Sequence, residues 1–193
     1  MREVSEQARE EQSTMDELKA LIRTIPDHPK PGIQFRDITT LLLSPEGLHQ
    51  AVVALAEPHR NGSVGGPTVV AGIEARGFVF GSALAFRLGL GFVPLRKSGK
   101  LPGERIGRDF ELEYGMDRIE LHVDAISRND RVLIVDDLLA TGGTAEAAIE
   151  LVREAGGDIV ECAFVVSLPE LGGVRRLEKL GCRVRALCEF EGH

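Results

Sequence analysis

Apolar positions along this chain repeat with two periods, and the change from one to the other marks out its elements. Leu18, Leu21, Ile22 and Ile25 fall at i, i+3, i+4 and i+7, which predicts an amphipathic helix stopped by Pro26. Thr14-Met15-Asp16-Glu17 has the Ser/Thr-x-x-Glu pattern of a helix start. Residues 1–14 are polar and rich in glutamate, which predicts a mobile extension. The run Pro26-Asp27-His28-Pro29-Lys30-Pro31-Gly32 has too many prolines for a helix or an interior strand, so an exposed, stiff segment should lead into Ile33-Gln34-Phe35-Arg36-Asp37. Ser44-Pro45 then opens a helix with Leu48, Ala51, Val52 and Leu55 on one face, ending near Pro58.

Beyond a glycine-rich loop the period shortens. Thr68 to Ile73 reads as a strand, Gly77 to Leu88 as a helix and Gly91 to Leu95 as a strand. The order recurs in Arg131 to Val135, Ala145 to Ala155 and Ile159 to Val166. Two βαβ units predict a mostly parallel, twisted α/β sheet with helices on both faces. Between them Phe110, Leu112 and Tyr114 alternate with acids, as do Ile119, Leu121 and Val123 with polar residues, around Gly115-Met116-Asp117. That pattern predicts an antiparallel hairpin turning at 115–117 and inserted in the parallel core.

Composition narrows the class. With 193 residues, 43% hydrophobic and 27% charged, the chain matches one globular domain, so disorder, collagen and a disulfide scaffold are excluded. No stretch approaches the ~20 uncharged apolar residues of a membrane span, and the acidic N-terminus lacks a basic-then-apolar leader, so a cytoplasmic protein is expected. Cys162, Cys182 and Cys188 are odd in number and form no C-x-x-C pair, which predicts buried reduced thiols. No two histidines stand four apart, which argues against a structural transition metal. The net charge of −7 argues against nucleic acid as a partner, except that Arg96, Lys97, Lys100, Arg105 and Arg108 face Glu104 alone in their segment. Such a cluster is either a solvated loop face or the seat of a polyanion.

The sharpest chemical signal is the strand Val132 to Val135 running into Asp136-Asp137-Leu138-Leu139-Ala140-Thr141-Gly142-Gly143-Thr144 and then a helix. Unpaired N–H groups at a helix start, glycines that let the backbone close on a ligand, and threonine hydroxyls make an anion site suited to a monophosphate. Two carboxylates beside it would accept from vicinal hydroxyls or hold Mg²⁺ through water. A phosphate next to a diol points to a ribose 5-phosphate. Neither G-x-x-x-x-G-K-[ST] nor G-x-G-x-x-G is present.

This segment resembles the phosphoribosyl pyrophosphate signature of the type I phosphoribosyltransferase family. Further blocks resemble the adenine-specific branch of that family: Pro29 to Thr39, Glu74-Ala75-Arg76-Gly77-Phe78, Val93 to Pro102, and Leu112-Glu113-Tyr114-Gly115. The resemblance spans roughly Asp16 to His193. It implies transfer of phosphoribose from 5-phosphoribosyl 1-pyrophosphate to adenine, giving AMP and pyrophosphate with Mg²⁺, by a homodimer. It also implies a single domain over 15–193, with a hood at about 15–43 and a flexible flap at about 96–123. By resemblance, Ala140, Thr141, Gly142, Gly143 and Thr144 hold the 5′-phosphate, and Asp136 and Asp137 hold the ribose hydroxyls. Glu74, Ala75, Arg76, Arg96, Lys97 and Lys100 would hold pyrophosphate, with a non-proline cis peptide at Glu74-Ala75. Phe35, otherwise readable as core, would stack on the purine between the Gln34 carbonyl and the Arg36 N–H. His28 stands where relatives carry an aromatic. Glu113, otherwise a solvent carboxylate, would act at purine N7 with Tyr114 nearby, and Arg76 would assist the leaving group. Transfer to xanthine or hypoxanthine, or a sensor of phosphoribosyl pyrophosphate without catalysis, are the alternatives.

Overall fold

The structure, a computed structural model, describes residues 12–60, 65–112 and 115–192. A helix over 12–20 (α1) leads into β1 (Arg23–Pro26), which pairs antiparallel with β2 (Gln34–Asp37) as a separate two-stranded sheet. Residues 12–14 are thus helical, and residues 1–11 lie outside the described residues. The predicted helix stops short of Ile25, which is in β1 opposite Phe35. Thr40 Oγ1 donates to the Leu21 carbonyl (2.6 Å) just past the helix end, where backbone acceptors run out of partners, and the chain turns into the strand pair. Asp37 closes β2: it accepts from the Thr39 N–H (2.9 Å) and pairs with Arg23, which together hold its carboxyl down at about 2.

Two helices, α2 (Thr39–Leu43) and α3 (Pro45–Ala56), follow. α3 begins as its sequence dictates, with Ser44 Oγ accepting from the Gly47 N–H (3.0 Å) and proline in the first turn. The first βαβ unit is β3 (Val69–Ile73), α4 (Gly77–Leu88) and β4 (Gly91–Lys97). The second is β7 (Arg131–Leu139), α5 (Gly143–Glu154) and β8 (Asp158–Ser167), and α6 (Gly173–Lys179) and β9 (Val184–Glu189) complete the chain. Between the units lie β5 (Arg105–Leu112) and β6 (Gly115–His122).

The seven strands form one sheet in the order β5-β6-β4-β3-β7-β8-β9, parallel from β4 to β9. The hairpin is inserted between the two units in the chain, and in space it does not split the parallel strands: β6 pairs antiparallel with the outer side of β4, the edge where backbone groups are unclaimed. Nor does it turn at 115–117, because Leu112 pairs with Gly115 and Phe110 with Asp117. A turn centred on Met116 would set Phe110 against His122 and send its ring to the face opposite Ile119 and Leu121, whereas all three belong to one buried cluster.

Helices cover both faces of the sheet. On β7, Val132 and Ile134 join the cluster under α5 and α6, while Leu133 and Val135 join the one under α1 to α4. Among the described residues no helix is long and apolar enough to cross a membrane.

Candidate active site

β7 outruns its predicted end. Leu138 and Leu139 continue the ladder against Val166 and Ser167, so Asp136 and Asp137 sit within the strand rather than beyond it. The chain then turns through Ala140 to Gly142 and enters α5 two residues earlier than the spacing predicts. Gly142 holds φ at 84° as the residue that starts the helix, a conformation few other residues adopt. The turn is fastened from behind, where the Gly173 N–H, opening α6, donates to the Ala140 carbonyl (3.1 Å). A Cβ at Gly173 would stand 2.3 Å from that oxygen, so only glycine lets α6 approach. The first-turn N–H groups of α5 have no intrahelical acceptor and open on a cavity of about 300 Å³ lined by Arg76 and residues 136–145. All five residues expected at a 5′-phosphate, Ala140 to Thr144, line it.

The two acids differ in their surroundings. Asp136 Oδ1 accepts from the Asp137 N–H (2.9 Å). Asp137 is buried, and its Oδ2 lies 3.0 Å from Arg76 Nε without hydrogen-bond geometry, leaving a buried acceptor unsatisfied. Burial, then the neighbouring Asp137 charge, pushes the Asp136 carboxyl well above the usual range. Burial also raises Asp137, against the pull of the Arg76 guanidinium. Such a pair favours ligands that bring hydrogen-bond donors or positive charge.

A second cavity of about 160 Å³ adjoins the first and shares Arg76, Asp136, Asp137 and Thr144 with it. Glu74, Ala75 and Lys97 also line it, and the Glu74-Ala75 peptide is cis, as the resemblance implies. The Glu74 carboxylate accepts from Arg96 Nε (3.2 Å) and the Lys97 N–H (2.9 Å); burial would raise its pKa, but these donors outweigh it and hold the group below the usual value. Lys97 Nζ lies 3.2 Å from Asp117. Lys100 is exposed on the adjoining turn, where its carbonyl accepts from Arg96 (3.2 Å). The basic cluster does not converge as a whole. Arg105 pairs with Glu120 (3.1 Å), and Arg108 pairs with Glu154 (2.7 Å) and Glu150 (3.3 Å) of α5, so both are held by acids of the fold.

The β1–β2 strand pair reaches the same place. Phe35 is half-buried, with the His28 ring edge-on at 5.1 Å between centroids and the Arg76 guanidinium carbon 5.7 Å from its own centroid. Gln34 lies opposite Pro26 in the strand pair, and the Arg36 side chain is held by Thr24 and Glu191. Arg76 thus stands between the aromatic ring and the diacid. Glu113 and Tyr114 lie outside the described residues.

The sequence reading missed Phe110 and Asp117, which line the second cavity, and Gly173. The pair Gly172-Gly173 was a usable signal, whereas Asp117 was hidden by the misplaced turn. Among the described residues no three His, Cys, Asp or Glu side chains gather to hold a metal, and the three cysteines are buried and unpaired.

Residues 41–187 match the phosphoribosyl transferase domain family. The chain is 58% identical over 174 residues to an adenine phosphoribosyltransferase of Methylobacillus flagellatus, covering 90% of this chain and 97% of that one. It is also 58% identical over 177 residues to that of Parvibaculum lavamentivorans, covering 92% and 99%. Among solved structures, the adenine phosphoribosyltransferase of Rhodothermus marinus superposes with a TM-score of 0.85 at 50% identity, covering 93% and 99%. The Saccharomyces cerevisiae enzyme, complexed with an imino-altritol bisphosphate and adenine, gives 0.83 at 39%, covering 91% and 99%.

Proposed function

This chain belongs to the adenine phosphoribosyltransferases of the phosphoribosyl transferase family, and on that premise we propose how its residues divide the reaction. The enzyme transfers the phosphoribosyl group from 5-phosphoribosyl 1-pyrophosphate to adenine, giving AMP and pyrophosphate in purine salvage. The observation that carries the residue assignment is the unsatisfied, buried Asp137 oxygen beside the open first turn of α5, an acceptor for a diol next to donors for a phosphate.

Ala140 to Thr144 bind the 5′-phosphate, and Asp136 and Asp137 take the ribose hydroxyls. Pyrophosphate occupies the second cavity against Glu74, Ala75, Arg76 and Lys97, and Arg96, bonded to Glu74, and Lys100 add positive charge from the adjoining strand and turn. Its charge grows as the bond to the anomeric carbon breaks, so these cations stabilise the transition state more than the ground state. Phe35 stacks on adenine, the Gln34 carbonyl accepts from the exocyclic amine, and the Arg36 N–H donates to N1. A 6-oxo purine would set carbonyl against carbonyl there. Purine N9 attacks the oxocarbenium-like sugar as the C1′–O bond to pyrophosphate breaks, and Glu113, hydrogen-bonded at N7, takes the proton that the imidazole ring sheds. The flap at about 96–123, with Tyr114, closes against water, and the hood at about 15–43 covers the base.

The diacid suits Mg²⁺ carried in by the substrate, since it offers one orphaned carboxylate oxygen and too few ligands for a resident ion. When bound, the ion neutralises charge on the pyrophosphate oxygens. We place the enzyme in the cytoplasm, because its substrate is a highly charged phosphate ester that does not cross membranes, and as a homodimer. The test is to supply purified protein with Mg²⁺, phosphoribosyl pyrophosphate and each natural base. AMP from adenine is expected, and nucleotide from a 6-oxo purine alone would overturn the substrate assignment.

A further inference from the structure

We infer that the C-terminal tail, through Phe190, is a positioning element for the strand that reads the purine. This rests on the assignment of β2 to the base. Side chains alternate along a strand, so Arg36 points away from the face on which Phe35 meets Arg76. There its guanidinium donates to Thr24 Oγ1 (2.6 Å) and to the Glu191 carbonyl (2.8 Å), and its Cζ lies 4.6 Å from the centroid of the Phe190 ring. Lys19 of α1 brings a second cation to 4.9 Å from the same centroid. The tail is itself fixed to the main sheet: the Phe190 N–H donates to Ser167 at the end of β8 (3.1 Å), and the Gly192 N–H donates to Glu170 (3.2 Å).

β2 needs such an anchor. It is four residues long with one partner strand of equal length, and an isolated two-stranded pair is marginal in water. Arg36 Nε is buried without a hydrogen-bond partner, while the two terminal nitrogens reach Thr24 and Glu191 nearer the surface, so the Phe190 ring covers the part of the guanidinium that has no other partner. Phe190 therefore touches no substrate, yet it sets where the backbone of residues 34–36 stands. A misplaced reader weakens the purine contact and leaves the phosphoribosyl pyrophosphate pocket, built on β7, α5 and the 74–76 turn, as it was.

The experiment is steady-state kinetics on the full chain with Phe190→Ala and Phe190→Tyr. Phe190→Ala is expected to raise the KM for adenine about fourfold, the worth of a partly exposed cation–ring contact, without changing kcat or the KM for phosphoribosyl pyrophosphate. Phe190→Tyr keeps the ring and should restore the wild-type KM. An unchanged KM for adenine, an equal rise in both KM values, or no rescue by tyrosine would overturn the inference. If Phe190→Ala does not fold, Phe190→Leu, which keeps apolar volume but removes the ring face, is judged by the same selective rise. Should the wild-type enzyme use a base other than adenine, the base assignment fails, and the tail is judged on the KM for the base that is used.

Discussion

Asp136 and Asp137 show what a residue's type says and what only its surroundings add. Their adjacency at a strand followed by a glycine turn is visible in the sequence and points to a diol or a cation. Their depth within β7 is not, because it comes from Leu138 and Leu139 pairing with β8. That depth raises both pKa values. A carboxyl whose pKa is higher folded than unfolded adds stability below the unfolded value near ~3.9, and that stability is lost as pH rises through the folded value. Above the unfolded value that contribution declines, so at neutral pH burying the diacid costs stability relative to acid pH. Asp136→Asn is expected to melt a few degrees above wild type at pH 7, with the difference vanishing below about pH 4, while the KM for phosphoribosyl pyrophosphate rises. Thermal melts across pH, paired with saturation kinetics, check this, and a lower melting temperature at pH 7 would contradict it. Arg76 was legible as a cation after a strand, but its place between Phe35 and Asp137 depends on how the hood folds over the sheet, which no local pattern encodes.

At the scale of elements, the βαβ units were legible because their strands are apolar on both faces and their helices carry one apolar stripe. The hairpin was legible as a hairpin but not in its register, since alternation is the same for a turn at 113–114 or at 115–117 until the buried partners of Phe110 are known. β1 and α6 were not read at all: β1 is four residues long and mostly exposed, and α6 is a seven-residue helix with two buried positions. Yet α6 supports the candidate site, because its first residue sits against the turn through Ala140. Gly173→Ala would force Ala140 to shift, and a displacement near 1 Å in a positioning loop costs about a hundredfold in rate. A drop of that size in kcat/KM for phosphoribosyl pyrophosphate is expected, and near-normal kinetics would show that the turn does not need α6.

For the whole molecule, composition indicates an acidic chain of ordinary apolar content, and the structure gives it a seven-stranded sheet with a buried cluster on each face beside a two-stranded sheet. The homodimer proposed above would need an apolar surface to bury. Phe86 is 90% exposed, and Val79, one heptad earlier on α4, lies on the same helix face. An aromatic ring left in water on a helix that otherwise packs well marks a contact face, and a two-fold pair would bury it. Phe86→Glu is expected to shift the protein from dimer to monomer in sedimentation velocity at micromolar concentration, and an unchanged sedimentation coefficient would locate the contact elsewhere.

Arg76 gives the molecule one more property. Its guanidinium lies against the hood's ring on one side and the strand's buried carboxylate on the other. On the assignment proposed above, a diol that satisfies Asp137 would loosen the hold on that cation beside the ring proposed to carry the purine. The two substrates would then not dock as strangers: whichever arrived first would alter the affinity for the second, by an equal factor in both directions.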